Sequence, residues 1–201
     1  MNESVAATTD DPRASSHAGT HMGIAMRGKM YALEGDHTRA MQYYRIAIRM
    51  AVKARDPEIF FRHYLDCVME SLELTGAHDE VLAYCDKAIE HYAANPPPNP
   101  LAKMDLANIH LRRGSILLKK KEKTEARSAM KAAADAAKSA GSRLGLAETI
   151  LRWIDGGYAI EPARFVAEQK RAGYFNVQPD NVDPRRAIEL TEEELMLVGR
   201  F

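Results

Sequence analysis

The stretch Gly28–Ile48, GKMYALEGDHTRAMQYYRIAI, predicts two antiparallel helices joined by a short turn. Gly28 and Ala40 place small residues where one helix must approach its partner closely. Gly35 suits the left-handed backbone conformation that closes a helix, and Asp36 can then accept a hydrogen bond from the open N–H groups that start the next helix. The stretch therefore predicts a helical hairpin.

The spacing of small, aromatic and turn residues in this hairpin closely resembles one unit of the tetratricopeptide repeat family. The positions that match in a single register are Gly28, Tyr31, Gly35, Ala40, Tyr43, Tyr44 and Ala47. Ile24 and Arg27 stand where that repeat often has a tryptophan and a leucine. The resemblance implies a stack of helical hairpins whose first helices line a concave groove.

Two more hairpins are predicted downstream. The second has helices at about 57–75 and 79–93 with its turn at Gly76, and the third begins near Leu101, after a proline-rich connector that cannot continue a helix. In the third hairpin Lys121 takes the place of the turn glycine, so we expect a different turn there. Three small residues return together at an offset of 86 positions, since Gly114, Ala126 and Ala133 correspond to Gly28, Ala40 and Ala47.

The predicted hairpins are longer than the usual repeat. Their turn positions, Gly35, Gly76 and Lys121, are 41 and 45 residues apart, whereas the family period is about 34 residues. We expect three repeats of unusual length, with the surplus residues in longer helices and in the connector.

We predict an all-α chain that forms an α-α superhelix, a tetratricopeptide-like solenoid of three hairpins with C-terminal capping helices. Residues 1–20 are small and polar and are predicted to be a disordered tail. Residues 21–155 form the repeat domain, which ends in a capping helix that starts after Ser142 and contains Trp153. Residues 156–201 form a helical and irregular extension, in which Thr191 and Glu194 have capping-box spacing.

Composition excludes several broad classes of function. The 201 residues contain 28 basic and 28 acidic side chains, so no overall field favours nucleic acid or an anionic membrane. No apolar run approaches the roughly 20 residues that a membrane-spanning helix needs. Cys67 and Cys85 lie in helical patterns and are interpreted as buried thiols, not as a disulfide. These features predict a cytoplasmic protein.

The sequence contains no recognisable catalytic or metal-binding motif, and we predict neither an enzyme nor a cofactor. His17 and His21 are four residues apart, but no cysteine or carboxylate stands at ligand spacing nearby. The glycines around Ser142 lack the lysine of a phosphate loop and are interpreted as a helix end. The basic run Lys119–Lys123 is interpreted as a helix C-terminus, where cations are favoured.

The groove that the resemblance implies is the predicted functional site. Its acidic centre, Asp66, Glu70 and Glu73, would favour a basic or amphipathic partner segment. One branch of the family grips a partner's terminal carboxylate, but Ala25 and Lys29 replace a lysine and an asparagine of that pattern. The predicted groove residues are Met26, Lys29, Leu33, His63, Asp66, Glu70, Glu73, Asn108, Arg112, Ser115 and Lys119.

The leading functional hypothesis is a non-catalytic adaptor or chaperone-like module that binds a partner segment in this groove. The compact three-repeat arrangement also resembles bacterial secretion chaperones. An alternative is an assembly subunit that associates with itself, or with a larger complex, through its convex face and C-terminal tail. A third is a regulatory domain that senses a small peptide or a nucleic acid, although nucleic acid is the least favoured of these partners.

Overall fold

The structure is a computed structural model that describes the backbone of residues 12–198 and the side chains of residues 19–196. Within that part the chain has nine α-helices and no strand, so the predicted all-α class is confirmed. The helices are α1 Pro12–Leu33, α2 His37–Ala54, α3 Glu58–Leu74, α4 His78–Ala94, α5 Pro100–Lys119, α6 Lys123–Ser139, α7 Gly145–Asp155, α8 Pro162–Arg171 and α9 Glu192–Val198.

The chain divides into two compact units, and one division falls inside α3. Among the described residues, the first unit contains those up to Ser71 together with those from Asn176 onward, and the second unit runs from Leu72 to Phe175. The sequence predicted a repeat domain over residues 21–155 followed by an extension. In the structure the end of that extension belongs with the first helices instead.

In the first unit, α1 and α2 form the hairpin predicted from Gly28–Ile48. Gly35 has a left-handed φ of 85°, and the Asp36 side chain accepts a hydrogen bond from the Arg39 N–H at 3.0 Å. A Cβ atom on Gly28 would lie 2.8 Å from the Tyr44 ring, so the two helices meet there without room for a side chain. The turn and the close approach are both as predicted.

Helix α1 begins earlier than the sequence indicated. It starts at Pro12, inside the segment predicted as a tail, whereas the predicted start was about Met22. His21 is completely buried, and its ring nitrogens lie 2.7 Å from the Tyr64 hydroxyl and 2.9 Å from an Asp56 carboxylate oxygen. These contacts hold α1 against the unit at His21. The His17 side chain lies outside the described residues.

In the second unit, α5 and α6 repeat the geometry of the first hairpin. A Cβ on Gly114 would lie 3.0 Å from Met130, which stands 86 positions after Tyr44. Lys121 adopts the left-handed conformation with φ 66°, and the backbone of Glu122 (φ −84°, ψ 73°) matches that of Asp36 (φ −84°, ψ 71°). The expectation of a different turn was wrong, because a lysine here adopts the conformation that the glycine adopts in the first hairpin.

Local capping signals were mostly interpreted correctly. Asn99 caps α5 by accepting the Ala102 N–H at 2.9 Å, and the capping box predicted for α9 is present between Thr191 and Glu194. Ser142 is not a cap, since α7 begins at Gly145 after Leu144, whose side chain makes no capping hydrogen bond.

The main core of the second unit lies between α5, α6, α7 and α8. Trp153 is partly buried against this core, as predicted for a residue that seals the last hairpin, and the Arg164 guanidinium lies 4.2 Å from its ring centroid. The buried members are Leu111, Met130, Ala133, Leu146, Ala147, Ile150, Ile154 and Phe165.

Candidate functional site

A largely extended segment near the C-terminus lies on the first unit's own helices. This segment, residues 176–190, is called the C-terminal strap below. It contains two short 3₁₀ helices, Pro179–Asn181 and Pro184–Arg186, and the second of these packs against α1. The strap contacts α1, α2 and the part of α3 that belongs to the first unit.

Glu70 of α3 anchors the beginning of the strap through its main chain. One carboxylate oxygen accepts the Asn176 N–H at 2.6 Å, and both oxygens lie 3.3 Å from the Val177 nitrogen. Glu70 is 3% exposed, so these hydrogen bonds satisfy a buried carboxylate that would otherwise be costly. Because the donors are backbone groups, this anchor can hold an extended chain whatever its side chains are.

The middle of the strap follows α1. The Asp183 N–H points to the Met26 sulfur at 3.4 Å, and the Ile188 N–H donates to the Gly23 carbonyl at 3.0 Å. A Cβ on Gly23 would lie 2.6 Å from the Ile188 side chain and 2.8 Å from the Arg186 carbonyl oxygen. The missing side chain at position 23 therefore allows the strap to lie directly on the backbone of α1.

Glu189 places a carboxylate among three donors at the end of the strap. The Tyr43 and Tyr31 hydroxyls donate to one oxygen at 2.5 and 2.8 Å, and the Arg27 guanidinium pairs with the other oxygen. Burial raises the pKa of Glu189, but the two hydroxyl donors and the charge of Arg27 outweigh it, so the pKa lies below its ordinary value. The Leu190 N–H then donates to the Tyr43 hydroxyl at 3.1 Å.

The predicted groove residues of the first unit do not act as one open surface. Met26 and Glu70 contact the strap, Lys29 is buried, and Leu33 is exposed. Asp66 and His63 are partly buried. Burial, helped by the charge of Lys29, lowers the pKa of His63 to about 4.

In the second unit, four of the predicted residues lie in or near one buried polar cluster, and the fifth, Asn108, is exposed. Glu73 accepts hydrogen bonds at its two oxygens from Arg112 at 3.4 Å, Lys119 at 2.7 Å, Gln169 at 3.1 Å and Tyr174 at 2.7 Å. Burial raises the pKa of Tyr174 well above its ordinary value, so the phenol stays protonated and remains a donor. Ser115 is also buried, and its hydroxyl lies beside the Tyr174 phenol.

Two of the three acidic residues expected to attract a basic partner, Glu70 and Glu73, are therefore engaged within the chain. Glu70 receives N–H groups of the strap in the first unit, and Glu73 receives two cations in the second. The prediction of a basic partner depended on these charges facing solvent. Sequence reasoning also missed Gly23 and Glu189, because the residues that they meet in the fold are distant along the chain.

No group of three histidine, cysteine or acidic side chains that could hold a metal occurs between residues 19 and 196. In the same part of the chain, none of the helices combines the length and the apolar character that crossing a membrane requires. Searches of protein-family models, of curated proteins and of solved structures found no match to this chain.

Proposed function

We propose that the chain is a non-catalytic protein-interaction module whose first unit holds an extended peptide segment on one face of its helices. This face, called the strap face, consists of Gly23, Met26, Arg27 and Tyr31 of α1, Tyr43 of α2 and Glu70 of α3. The observation that carries the proposal is the C-terminal strap, an extended segment held on this face by main-chain and side-chain contacts. The ligand of the module is a segment of another protein.

The contacts on the strap face are of the kind that peptide-binding domains use. Glu70 and the Gly23 carbonyl bind backbone N–H groups, which gives affinity for any extended chain. The donors around Glu189 and the gap at Gly23 contact side chains of the bound segment, which gives selectivity for particular residues. A face that already holds one such segment can hold a partner's segment in its place.

The repeat geometry supports a tetratricopeptide-like module. The hairpins α1–α2 and α5–α6 share their close approaches, at Gly28 and Gly114, and their left-handed turn residues, at Gly35 and Lys121. Both pairs differ by the offset of 86 positions that the sequence showed. A repeated structural unit produces matching helix contacts and matching turns at one constant offset.

Selection from a display library of random 12-residue peptides tests the proposal. Glu189→Ala removes the carboxylate by which the strap holds Tyr31, Tyr43 and Arg27 and leaves the strap face unchanged, so this variant should retain more peptides than the wild-type chain. Asp135→Asn, an exposed change in the second unit, is the matched control and should enrich the same peptides as the wild-type chain. Enrichment of no peptide family on the wild-type chain or on Glu189→Ala would contradict the proposal.

We propose a cytoplasmic location from the two cysteines. Both are free and buried, as expected of a protein kept in a reducing compartment. Cell fractionation with thiol labelling of the denatured protein checks this, since both thiols should be reactive and the protein should be in the cytoplasmic fraction. Recovery in an oxidising compartment would contradict it.

An assembly subunit is the second candidate, and one observation favours it. Val52 and Ile59, on either side of the turn between α2 and α3, are 60% and 62% exposed. Large apolar side chains that are exposed on both sides of one turn are available to a contact surface between proteins. Light scattering during size-exclusion chromatography should then show oligomers that disappear in a Val52→Lys, Ile59→Lys variant.

A further inference from the structure

We infer that the strap face recognises a partner segment in which one acidic residue is flanked by large apolar residues, and that Ile188-Glu189-Leu190 of the strap competes for the same place. This inference rests on the proposed function and names its ligand. The partner is acidic and apolar, in contrast to the basic segment that the sequence predicted.

The acidic position is defined by donors that converge on it. Arg27 and the Tyr31 and Tyr43 hydroxyls all meet the Glu189 carboxylate, and the Arg27 guanidinium also lies 4.3 Å from the Tyr31 ring centroid. A second guanidinium, that of Arg39, lies 5.5 Å from the same centroid. A charged carboxylate accepts from both hydroxyls and pairs with the Arg27 charge, whereas an amide has only one oxygen and brings an NH₂ group to the cation.

The apolar positions lie on either side of the acid. Ile188 lies over Gly23 of α1, and any side chain at position 23 would collide with it. Leu190 borders a recess of about 340 Å³ whose walls include Ile24, Ile46 and Met50. Because this recess is open beside Leu190, a larger side chain at that position of a partner would bury more apolar surface than the strap does.

The strap is held in a way that permits exchange. The Glu189 side chain is 54% exposed, so its carboxylate can exchange the three donors for water without any opening of the core. The advantage of the strap is its covalent attachment, which gives it an effective concentration of the order of millimolar. A partner must therefore bind more tightly at the acidic and apolar positions, or the strap must be weakened.

The test uses a fluorescent peptide with the sequence of residues 183–196, DPRRAIELTEEELM, added to the full-length chain. Fluorescence anisotropy measures its binding to the wild type, to Glu189→Ala, and to Glu189→Ala combined with Arg27→Gln. The second protein has a weakened strap and an intact strap face, and the third has a damaged strap face. Far-UV circular dichroism establishes that each variant keeps its helices.

The peptide should bind Glu189→Ala about tenfold more tightly than the wild type, and the added Arg27→Gln change should remove that gain. A peptide with Glu189→Gln should bind about tenfold more weakly, and one with Leu190→Phe more tightly. Equal binding of the acid and amide peptides, or no binding of the peptide to any of the three chains, would overturn the inference.

The two proposals can fail separately. If the display library yields peptides that lack an acidic residue, the proposed function stands and this inference falls. If neither the library nor the defined peptide binds, both fall. A dimer of the wild-type chain that the added peptide dissociates would assign the strap face to the strap of a second copy, and this also overturns the partner proposed here.

Discussion

Gly28 of α1 lies so close to Tyr44 of α2 that a Cβ atom at position 28 would be 2.8 Å from Cε1 of the tyrosine ring. The ring cannot move away easily, because Tyr44 is completely buried. At the corresponding place in the second unit, Gly114 faces the flexible end of Met130 at 3.0 Å. The same helix contact is thus rigid in one hairpin and adaptable in the other.

Gly28→Ala should therefore destabilise the protein, and Gly114→Ala should not. Alanine favours a helix over glycine by about 1 kcal/mol, but forcing a methyl group against a rigid ring costs about 1–3 kcal/mol. We expect the free energy of unfolding in urea to fall by up to about 2 kcal/mol for Gly28→Ala and to stay level or rise for Gly114→Ala. Equal effects of the two substitutions would contradict this difference in packing.

Adjacent tyrosines of α2 should respond in opposite directions to loss of their hydroxyl groups. The Tyr44 hydroxyl is buried, has no hydrogen-bond partner among the described residues, and has a pKa raised by that burial. Tyr43 donates to Glu189 and accepts from the Leu190 N–H. Since an unsatisfied buried hydroxyl costs about 1–3 kcal/mol, Tyr44→Phe should raise the unfolding free energy by about 1 kcal/mol.

Tyr43→Phe is the matched change, and it should lower the unfolding free energy by about 1 kcal/mol because it removes a hydrogen bond to a charged group. Thermal denaturation followed by circular dichroism measures both variants. A loss of stability in Tyr44→Phe as large as that in Tyr43→Phe would show that the Tyr44 hydroxyl is satisfied.

Glu73→Gln should be among the most damaging conservative changes in the second unit. The side chain is fully buried between Arg112 and Lys119, so removal of its charge leaves two cations without their counter-charge. Breaking a buried ion pair in this way costs about 3 kcal/mol or more. Urea denaturation should show this loss, whereas Asp135→Asn, which breaks an exposed pair with Lys131, should leave the midpoint unchanged.

The stability of the first unit should fall in mild acid because of His63. Its folded-state pKa of about 4 lies below the value of about 6.5 expected when the chain is unfolded, and burial is the main cause. Between these two values the unfolded chain binds a proton that the folded chain does not, so stability is complete above pH 6.5 and declines as the pH falls towards 4. For this partly buried ring we expect His63 to contribute about 2 kcal/mol to that decline.

His63→Phe keeps a ring of similar size that does not titrate. Its unfolding free energy should change less between pH 7 and pH 4.5 than that of the wild type, and His91→Asn, at an exposed histidine, should follow the wild type. Parallel curves for the wild type and His63→Phe would show that other groups produce the decline.

Most of the helices and turns could be predicted from the sequence because their causes are local. Asp36, Asn99 and Thr191 each form hydrogen bonds with groups no more than three residues away, and a side chain in such a position caps a helix wherever the chain folds. The offset of 86 positions likewise identified two hairpins with matching contacts. The turn at Lys121 was predicted wrongly because no sequence pattern marks a lysine whose backbone adopts the left-handed conformation.

Local sequence patterns were enough to show that the chain is helical and where its hairpins turn, since backbone sterics and short-range hydrogen bonds decide both. What covers the predicted binding face, by contrast, depends on how distant parts of the chain pack together. Glu70 meets residues more than 100 positions away, and Tyr31 meets Glu189 at a separation of 158. Such contacts depend on complementary shape and charge between distant segments, which no local pattern encodes, so the same acidic residues that suggested an open groove anchor the chain's own strap and core.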